Sequence, residues 1–157
     1  MRGAGAVLAV LVIAGCGGGG DQQQGSGSNI QADSVAYATQ QFDAAAFDTI
    51  SWTADTAATN RGRVVFAFSC RKCHGAGGLG DGGFVFQGDT LRPPSLVASD
   101  WKFATDPAGF RLQVFTGNTE GMPHWGLVTG MKLRDIDAVV RYILTDLRAG
   151  VDTTKGM

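Results

Sequence analysis

A regular spacing of apolar residues near the end of the chain predicts its clearest helix. The positions recur at intervals of three and four residues: Ile136, Val139, Val140, Ile143, Leu144 and Leu147. This spacing places all of them on one face of an α-helix, as is typical of an amphipathic helix packed on a core. Lys132 is a poor N-cap, but Asp135 in the first turn is favourable to the helix dipole. We expect the helix to run to Arg148, with Gly150 as its stop.

A second helix is predicted upstream by Gly62, Phe66 and Cys70. These residues lie four apart and therefore share one helix face. A glycine on that face would let another helix approach closely, and the phenylalanine would fill the space beneath it. We therefore expect the two helices to pack against each other.

The start of the chain has the pattern of an export signal. An apolar run from Ala4 to Ala14 follows Arg2. It is too short to cross a bilayer, which needs about 20 residues, but it suits the core of a signal peptide. The run ends in Leu-Val-Ile-Ala-Gly before Cys16, which resembles the bacterial lipobox, whose cysteine is lipidated and becomes the new N-terminus. This resemblance implies a lipoprotein signal peptide at residues 1–15 and lipidation of Cys16; the alternative is an ordinary cleavable signal with an incidental cysteine.

The stretch between the signal and the helices divides into two parts. Residues 16–29 are rich in Gly, Gln and Ser, and such a flexible tether would reach about 20 Å. Residues 30–58 are expected to form a poorly ordered or loosely docked extension, because Asp, Thr, Ser and Ala separate its apolar side chains. Those side chains could pack on the domain through a short helix around residues 33–47: Phe42, Phe47, Ile50 and Trp52. Residues 151–157 are interpreted as a C-terminal tail.

The charge balance excludes one class of partner. The 157 residues include 13 Lys and Arg against 14 Asp and Glu, for a net charge of −1. No basic stripe is present to neutralise phosphates, so nucleic acid is not an expected partner. The chain has three cysteines, and the two motifs that contain them leave none for a disulfide.

The residues with the most specific chemistry are Cys70, Cys73 and His74, in the order Cys-x-x-Cys-His. Two thiols at this spacing can each form a thioether to one vinyl group of a haem, and the adjacent histidine is then placed under the iron as its axial ligand. A zinc site would need further Cys or His ligands, of which the chain offers few. A thioredoxin-like motif should follow a strand, whereas helix is predicted before Cys70.

These features together resemble a class I monohaem cytochrome c. The family's Gly/Phe pair matches Gly62 and Phe66, and its C-terminal aromatic residue matches Tyr142. The resemblance implies an all-α fold over residues 59–150, with N- and C-terminal helices that cross beside one covalently bound haem c. It also implies that the protein is an electron-transfer protein and not an enzyme.

The resemblance assigns roles to a Pro-x-Leu segment that follows the haem motif. In the family the proline carbonyl accepts a hydrogen bond from the axial histidine, which would orient His74 and raise its basicity. Pro94 and Leu96 match this segment. The Gly-rich loop between His74 and Pro94 lacks the lysine of a phosphate-binding P-loop and is interpreted as a loop at the haem edge.

The sixth iron ligand decides the chemistry. Gly121-Met122-Pro123 resembles the family's axial-methionine loop, in which a proline stiffens the turn after the ligand. Met122 is therefore the predicted ligand. His124 is the rival, and an open site is the third possibility. Met131 is better used to pack on the last helix.

A thioether opposite an imidazole favours ferrous iron, so the leading hypothesis is a membrane-tethered monohaem cytochrome that carries single electrons. Its partners would be redox proteins such as a quinol-oxidising complex and a terminal oxidase, with no small-molecule substrate. The expected location is the periplasmic side of a bacterial cell envelope, anchored by lipid. Several motifs are also similar to the lipoprotein monohaem cytochrome subunit of alternative complex III. The alternative from another class is a haem enzyme or gas sensor with an open or His-ligated site, for which His124 and Glu120 are the nearby polar candidates.

Overall fold

A computed structural model describes the backbone of residues 24–152 and the side chains of residues 30–150. Helices dominate this part of the chain, and its two short strands form an antiparallel hairpin. The α-helices are α1 (Gln24–Gln41), α2 (Ala44–Asp48), α3 (Asp55–Val65), α4 (Arg71–His74), α5 (Pro107–Thr116), α6 (Leu133–Tyr142) and α7 (Arg148–Asp152). The strands are β1 (Val85–Phe86) and β2 (Asp89–Thr90), and a 3₁₀ turn spans Trp125–Leu127. The expected all-α class I cytochrome c fold is confirmed.

Both predicted helices continue past their α-helical segments through a π-helical turn. Phe66–Cys70 joins α3 to α4, and Ile143–Leu147 joins α6 to α7. A π turn widens the helix by one residue per turn and is frequent at functional sites. The last helix runs through Gly150 to Asp152 rather than stopping there, which corrects the expected end.

Helices α3 and α6 cross in close contact at Gly62. A Cβ atom on Gly62 would overlap the carbonyl oxygen of Ala138 and lie 2.6 Å from the Cβ of Tyr142. Phe66 then packs on the ring of Tyr142, with ring centroids 5.7 Å apart. The glycine is therefore required by the distance between the two backbones, as its position in the sequence predicted.

The apolar face of α6 supplies the centre of the core. Ile136, Val139 and Val140 are almost completely buried, and they continue into Ile143 on the π turn. Helix α5 packs on this face with Phe110, Val114 and Phe115, all of which are buried. Helices α3, α5 and α6 together contribute most of the buried apolar side chains of the core. Burial of apolar surface is the main stabilising contribution to such a core.

Helix α6 is capped by its own third residue. Lys132 provides no side-chain cap, as expected, but the carboxylate of Asp135 accepts a hydrogen bond from the Lys132 backbone N–H at 3.1 Å. The same carboxylate binds Arg61 of α3 at 2.7 Å. The Asp135 carboxylate thus accepts from a backbone N–H at the start of α6, and its ion pair with Arg61 links α6 to α3.

The segment before α3 packs tightly on the domain, which differs from the expected poorly ordered or loosely docked extension. Ala38 of α1 is fully buried, and Phe47 of α2 belongs to the core cluster. Phe42 contacts Phe115 of α5 edge-on, with ring centroids 5.3 Å apart. The expectation relied on local composition, but these side chains find apolar partners far along the chain.

A buried carboxylate fixes the end of this segment to α6. Asp137 is 1% exposed, and it accepts a hydrogen bond from the Trp52 indole at 2.7 Å. It also pairs with Arg111 of α5 at 2.6 Å and with Arg141 at 2.8 Å. Burial alone would raise the pKa of Asp137, but the bonds from Trp52 and Arg141 and the charge of Arg111 lower it below its usual range.

The predicted signal peptide, the lipidation site Cys16 and residues 16–23 of the predicted tether lie outside the described residues, as do the last residues of the C-terminal tail. Residues 24–29, which were expected to belong to the flexible tether, form the start of α1 instead. Within residues 24–152 no helix is both long enough and apolar enough to cross a membrane.

Replacing Gly62 with alanine should destabilise the protein by about 1–3 kcal/mol, because the added methyl group forces the two helix backbones apart. This cost should outweigh the gain of about 1 kcal/mol that alanine brings to an unconstrained helix position. Thermal unfolding of the full chain measures the effect. Gly150→Ala is the matched control, since a Cβ at residue 150 in α7 would meet no atom within 4 Å. An equal melting temperature for Gly62→Ala and wild type would contradict the close crossing.

Candidate functional site

Cys70, Cys73 and His74 lie at the end of the helix that begins with α3. Cys70 closes the π turn, and the other two residues belong to α4. The helix ends at Gly75, whose φ of 78° is a conformation that side chains disfavour. The close crossing at Gly62 therefore sets where these three side chains stand relative to the core.

The two cysteine thiols lack the character of redox nucleophiles. Burial, together with the neighbouring Cys73, raises the pKa of Cys70 to about 12. Burial also raises the pKa of Cys73, which the charge of Lys72 only partly offsets. Catalytic Cys-x-x-Cys pairs need a lowered pKa, because the thiolate is the reactive form. The pair is therefore unlike a thioredoxin-type centre and suits covalent attachment of a group.

A zinc site receives no support from the neighbouring side chains. Within the described residues, no three His, Cys, Asp or Glu side chains come together in a group that could hold a metal ion. A structural zinc site needs four such ligands.

His74 is prepared to act as a neutral ligand. Burial lowers its pKa, so the imidazole is uncharged near neutral pH. Its Nδ1 atom is buried and has no hydrogen-bond partner among the described residues. The hydrogen bond expected from His74 to the Pro94 carbonyl is therefore not formed in this structure, which corrects that expectation. A buried ring nitrogen without a partner is costly.

Two adjoining cavities open next to His74. The larger has a volume of about 370 Å³ and the smaller about 160 Å³. Their shared walls include Cys70, His74, Pro94 and Met122. Cofactor sites are typically concave spaces of about 300–1,000 Å³ with mostly apolar walls. The pair of cavities has this size and places the predicted attachment and axial residues on its walls.

The smaller cavity has an aromatic floor. Trp101 meets Phe110 at right angles, with ring centroids 4.7 Å apart, and Phe103 stacks on Phe110 at 5.6 Å. Val139 and Ile143 of the last helix complete this apolar wall. Such a surface suits the flat, apolar face of a porphyrin.

Each of the two cavities also has a cationic side chain on its walls. Arg92 lines the larger cavity and Lys102 lines the smaller one. The residues present therefore fit haem: two thiols for attachment, an imidazole and a thioether for the iron, aromatic walls, and cations for the propionates.

The two candidates for the sixth ligand lie on different surfaces. Met122 lines both cavities, together with His74. His124 instead lines a separate shallow groove with Asp33 and Tyr37 of α1 and with Leu127. The structure thus brings the predicted methionine, and not the rival histidine, to the cavity walls.

The predicted Pro-x-Leu segment forms another part of the walls. Pro94 lines both cavities, and Leu96 is buried on the smaller one. The backbone N–H of Leu96 donates to the Gly78 carbonyl at 2.8 Å, and Arg148 of α7 donates to the Leu96 carbonyl at 2.6 Å. Helix α7 therefore holds this segment in place.

The Gly-rich loop packs closely on the attachment helix, as expected for a loop beside the site. A Cβ on Gly82 would overlap the Lys72 carbonyl oxygen, and one on Gly80 would overlap the Pro93 carbonyl oxygen. The hairpin of β1 and β2 follows, and Phe84 and Leu91 beside it line the larger cavity. These glycines let the loop cover the end of α4 without a gap.

Sequence reasoning missed Asn118. Its side-chain oxygen accepts hydrogen bonds from the backbone N–H groups of Glu120 and Met122, each at 3.0 Å. Asparagine often makes such bonds to the residues after it in a turn. An asparagine just after the end of α5 is the sequence signal that could have predicted this turn.

The comparisons with known proteins agree with this geometry. A family model described as cytochrome C oxidase, cbb3-type, subunit III matches residues 57–143, which is more than half of the chain. A search of the curated proteins and a search of the solved structures each return no match. The matched range contains the attachment residues, His74, Met122 and all of α6. The chain therefore belongs to this family of c-type cytochrome domains, as a haem-binding electron-transfer cytochrome.

Proposed function

We propose that this protein is a membrane-tethered monohaem cytochrome that carries single electrons through a haem held between His74 and Met122. The observation that carries the proposal is the shared position of these two side chains on both cavities. The rival His124 lines a different groove. A thioether and an imidazole leave no open iron position, so ligand exchange is disfavoured and electron transfer is favoured.

Each residue of the site has a defined part in this function. Cys70 and Cys73 would attach the haem, while neutral His74 and Met122 would bind its iron. The haem supplies the one-electron chemistry. The aromatic walls around Trp101 exclude water, which lowers the reorganisation needed when the charge of the site changes.

Replacing Met122 with alanine should abolish the weak near-red sulfur-to-iron absorption band of the ferric protein, because the thioether ligand is lost. The reduction potential should also fall, since methionine ligation favours ferrous iron. The measurement is the ferric spectrum of the full chain matured with haem.

Two variants control this experiment. Met131→Ala removes a methionine that packs on the core and should keep the band, and His124→Ala should keep it as well. A low-spin wild-type spectrum without the band would contradict the proposal and indicate His124. A high-spin spectrum would also contradict it and would indicate the open site of an enzyme or sensor.

The partner-docking face is proposed to surround the attachment helix. Phe68 on the π turn is 80% exposed, and Arg71 and Lys72 beside it share a surface groove. An exposed aromatic side chain next to two cations fits an acidic redox protein with an apolar centre. A quinol-oxidising complex and a terminal oxidase remain the proposed electron donor and acceptor.

Neutralising this face with Arg71→Gln and Lys72→Gln together should slow oxidation of the ferrous protein by ferricyanide. The expected decrease is about 10-fold at low ionic strength, because the positive field near the haem attracts the anion. Stopped-flow absorbance measures the rate. Lys132→Gln, at the start of α6, is the control and should change it little. A decrease that persists at high salt would argue against electrostatic attraction, which salt screens.

Anchoring through lipid on Cys16 is proposed from the N-terminal pattern, and it places the domain on the periplasmic side of a bacterial membrane. Lipidation adds several acyl chains, which meets the two-signal requirement for stable membrane binding. The part of the predicted tether that precedes α1, residues 16–23, would then hold the domain near the surface. Purification from native membranes would separate a free carrier from a fixed subunit, such as the one in alternative complex III, because a subunit stays in a large complex.

Replacing Cys16 with serine should release the haem protein from the membrane fraction, since the acylated residue is lost. Fractionation followed by haem staining measures the distribution, and the absorption spectrum should stay unchanged. A wild-type protein that is already soluble after export would show that the N-terminus is an ordinary cleavable signal.

A further inference from the structure

The loop that carries Met122 is organised around Asn118. The Asn118 side-chain oxygen accepts from the Met122 N–H at 3.0 Å. In return, the Asn118 backbone N–H donates to the Met122 carbonyl oxygen at 3.0 Å. The same side-chain oxygen also binds the Glu120 N–H at 3.0 Å. One residue thus holds the peptide groups on both sides of the Met122 Cα.

Helix α5 holds the start of this loop in turn. The Gln113 side chain donates to the Gly117 carbonyl at 2.9 Å, and the Gly117 N–H donates to the Gln113 carbonyl at 2.9 Å. Gly117 has a φ of 67°, and a Cβ there would lie 2.7 Å from the Pro123 carbonyl carbon. The two ends of the loop, Gly117 and Pro123, therefore lie next to each other. Asn118 belongs to this closed loop and lines both cavities.

A methionine ligand depends on such support. Its side chain has three rotatable bonds, and its sulfur is a neutral donor that competes poorly with stronger ligands when it is free to move away. Fixing the backbone on both sides of the residue limits where the sulfur can lie. Outer-sphere hydrogen bonds of this kind orient ligands in other metal sites.

We propose that Asn118 is a positioning residue that keeps the Met122 sulfur in place as the sixth ligand. The inference rests on the proposed function, since it takes Met122 as the ligand. It assigns Asn118 a role beyond the stability of the loop: the side-chain oxygen sets how readily Met122 gives way to an external ligand.

The test is the affinity of the full-length ferric haem protein for imidazole, which binds iron only when Met122 leaves. Asn118→Ala should increase this affinity by about 10-fold and should weaken the near-red sulfur-to-iron band. Asn118→Asp keeps an oxygen at the same position and should restore imidazole affinity close to that of wild type. Thr119→Ala, at the exposed neighbouring position, is the matched control and should leave the affinity unchanged.

The outcomes separate this inference from the proposed function. If wild type lacks the sulfur-to-iron band, the His/Met proposal fails and the inference fails with it. If wild type has the band and Asn118→Ala binds imidazole as weakly as wild type, only the role of Asn118 is overturned. Equal increases in Asn118→Ala and Asn118→Asp would also overturn it. If Asn118→Ala does not mature with haem, Asn118→Ser takes its place, with a smaller increase expected and no increase contradicting the proposal.

Discussion

The close crossing of α3 and α6 is the constraint on which the rest of the site depends. Only a glycine at position 62 lets the Ala138 carbonyl approach so closely, and the ring of Phe66 then settles against Tyr142. The helix that carries this glycine ends at His74. Its attachment residues are therefore placed by a backbone contact two to three turns earlier, and Val139 and Ile143 of the last helix form part of the wall of the neighbouring cavity.

The opposite side of the site is built differently, from a loop instead of a helix. Met122 is placed by hydrogen bonds within residues 117–123 and by the anchoring of that loop to α5. Helix α5 is itself fixed to α6 through the ion pair between Arg111 and Asp137. The two proposed iron ligands thus share α6 as their common support, since α3 crosses it directly and α5 is bound to it by charge. A rigid support for both proposed ligands suits electron transfer, which requires little rearrangement of the ligands.

The segment before α3 adds to this support. Trp52 donates to the carboxylate of Asp137 that Arg111 and Arg141 also bind, and Phe42 and Phe47 pack beside α5. A buried carboxylate that loses one of several partners is left incompletely satisfied, so these contacts depend on one another. The segment is accordingly part of the domain's framework, and it closes the side of α5 that faces away from the cavities.

Local patterns in the sequence were enough to predict the helix pair, the glycine at its crossing and the attachment motif. Each of these depends on residues a few positions apart, whose relative placement is set by helix geometry and covalent spacing. The preference for Met122 over His124 came only from the resemblance of its loop to the family's axial-methionine loop. Two residues separated by one proline can line different surfaces, and only the folded loop determines which one meets the cavity. The packing of residues 30–58 likewise depended on partners such as Asp137, 85 residues from Trp52. Sequence periodicity carries no information about such distant pairs. The tertiary structure decided them, because the packing of α5 and α6 creates the surfaces on which those side chains find their partners.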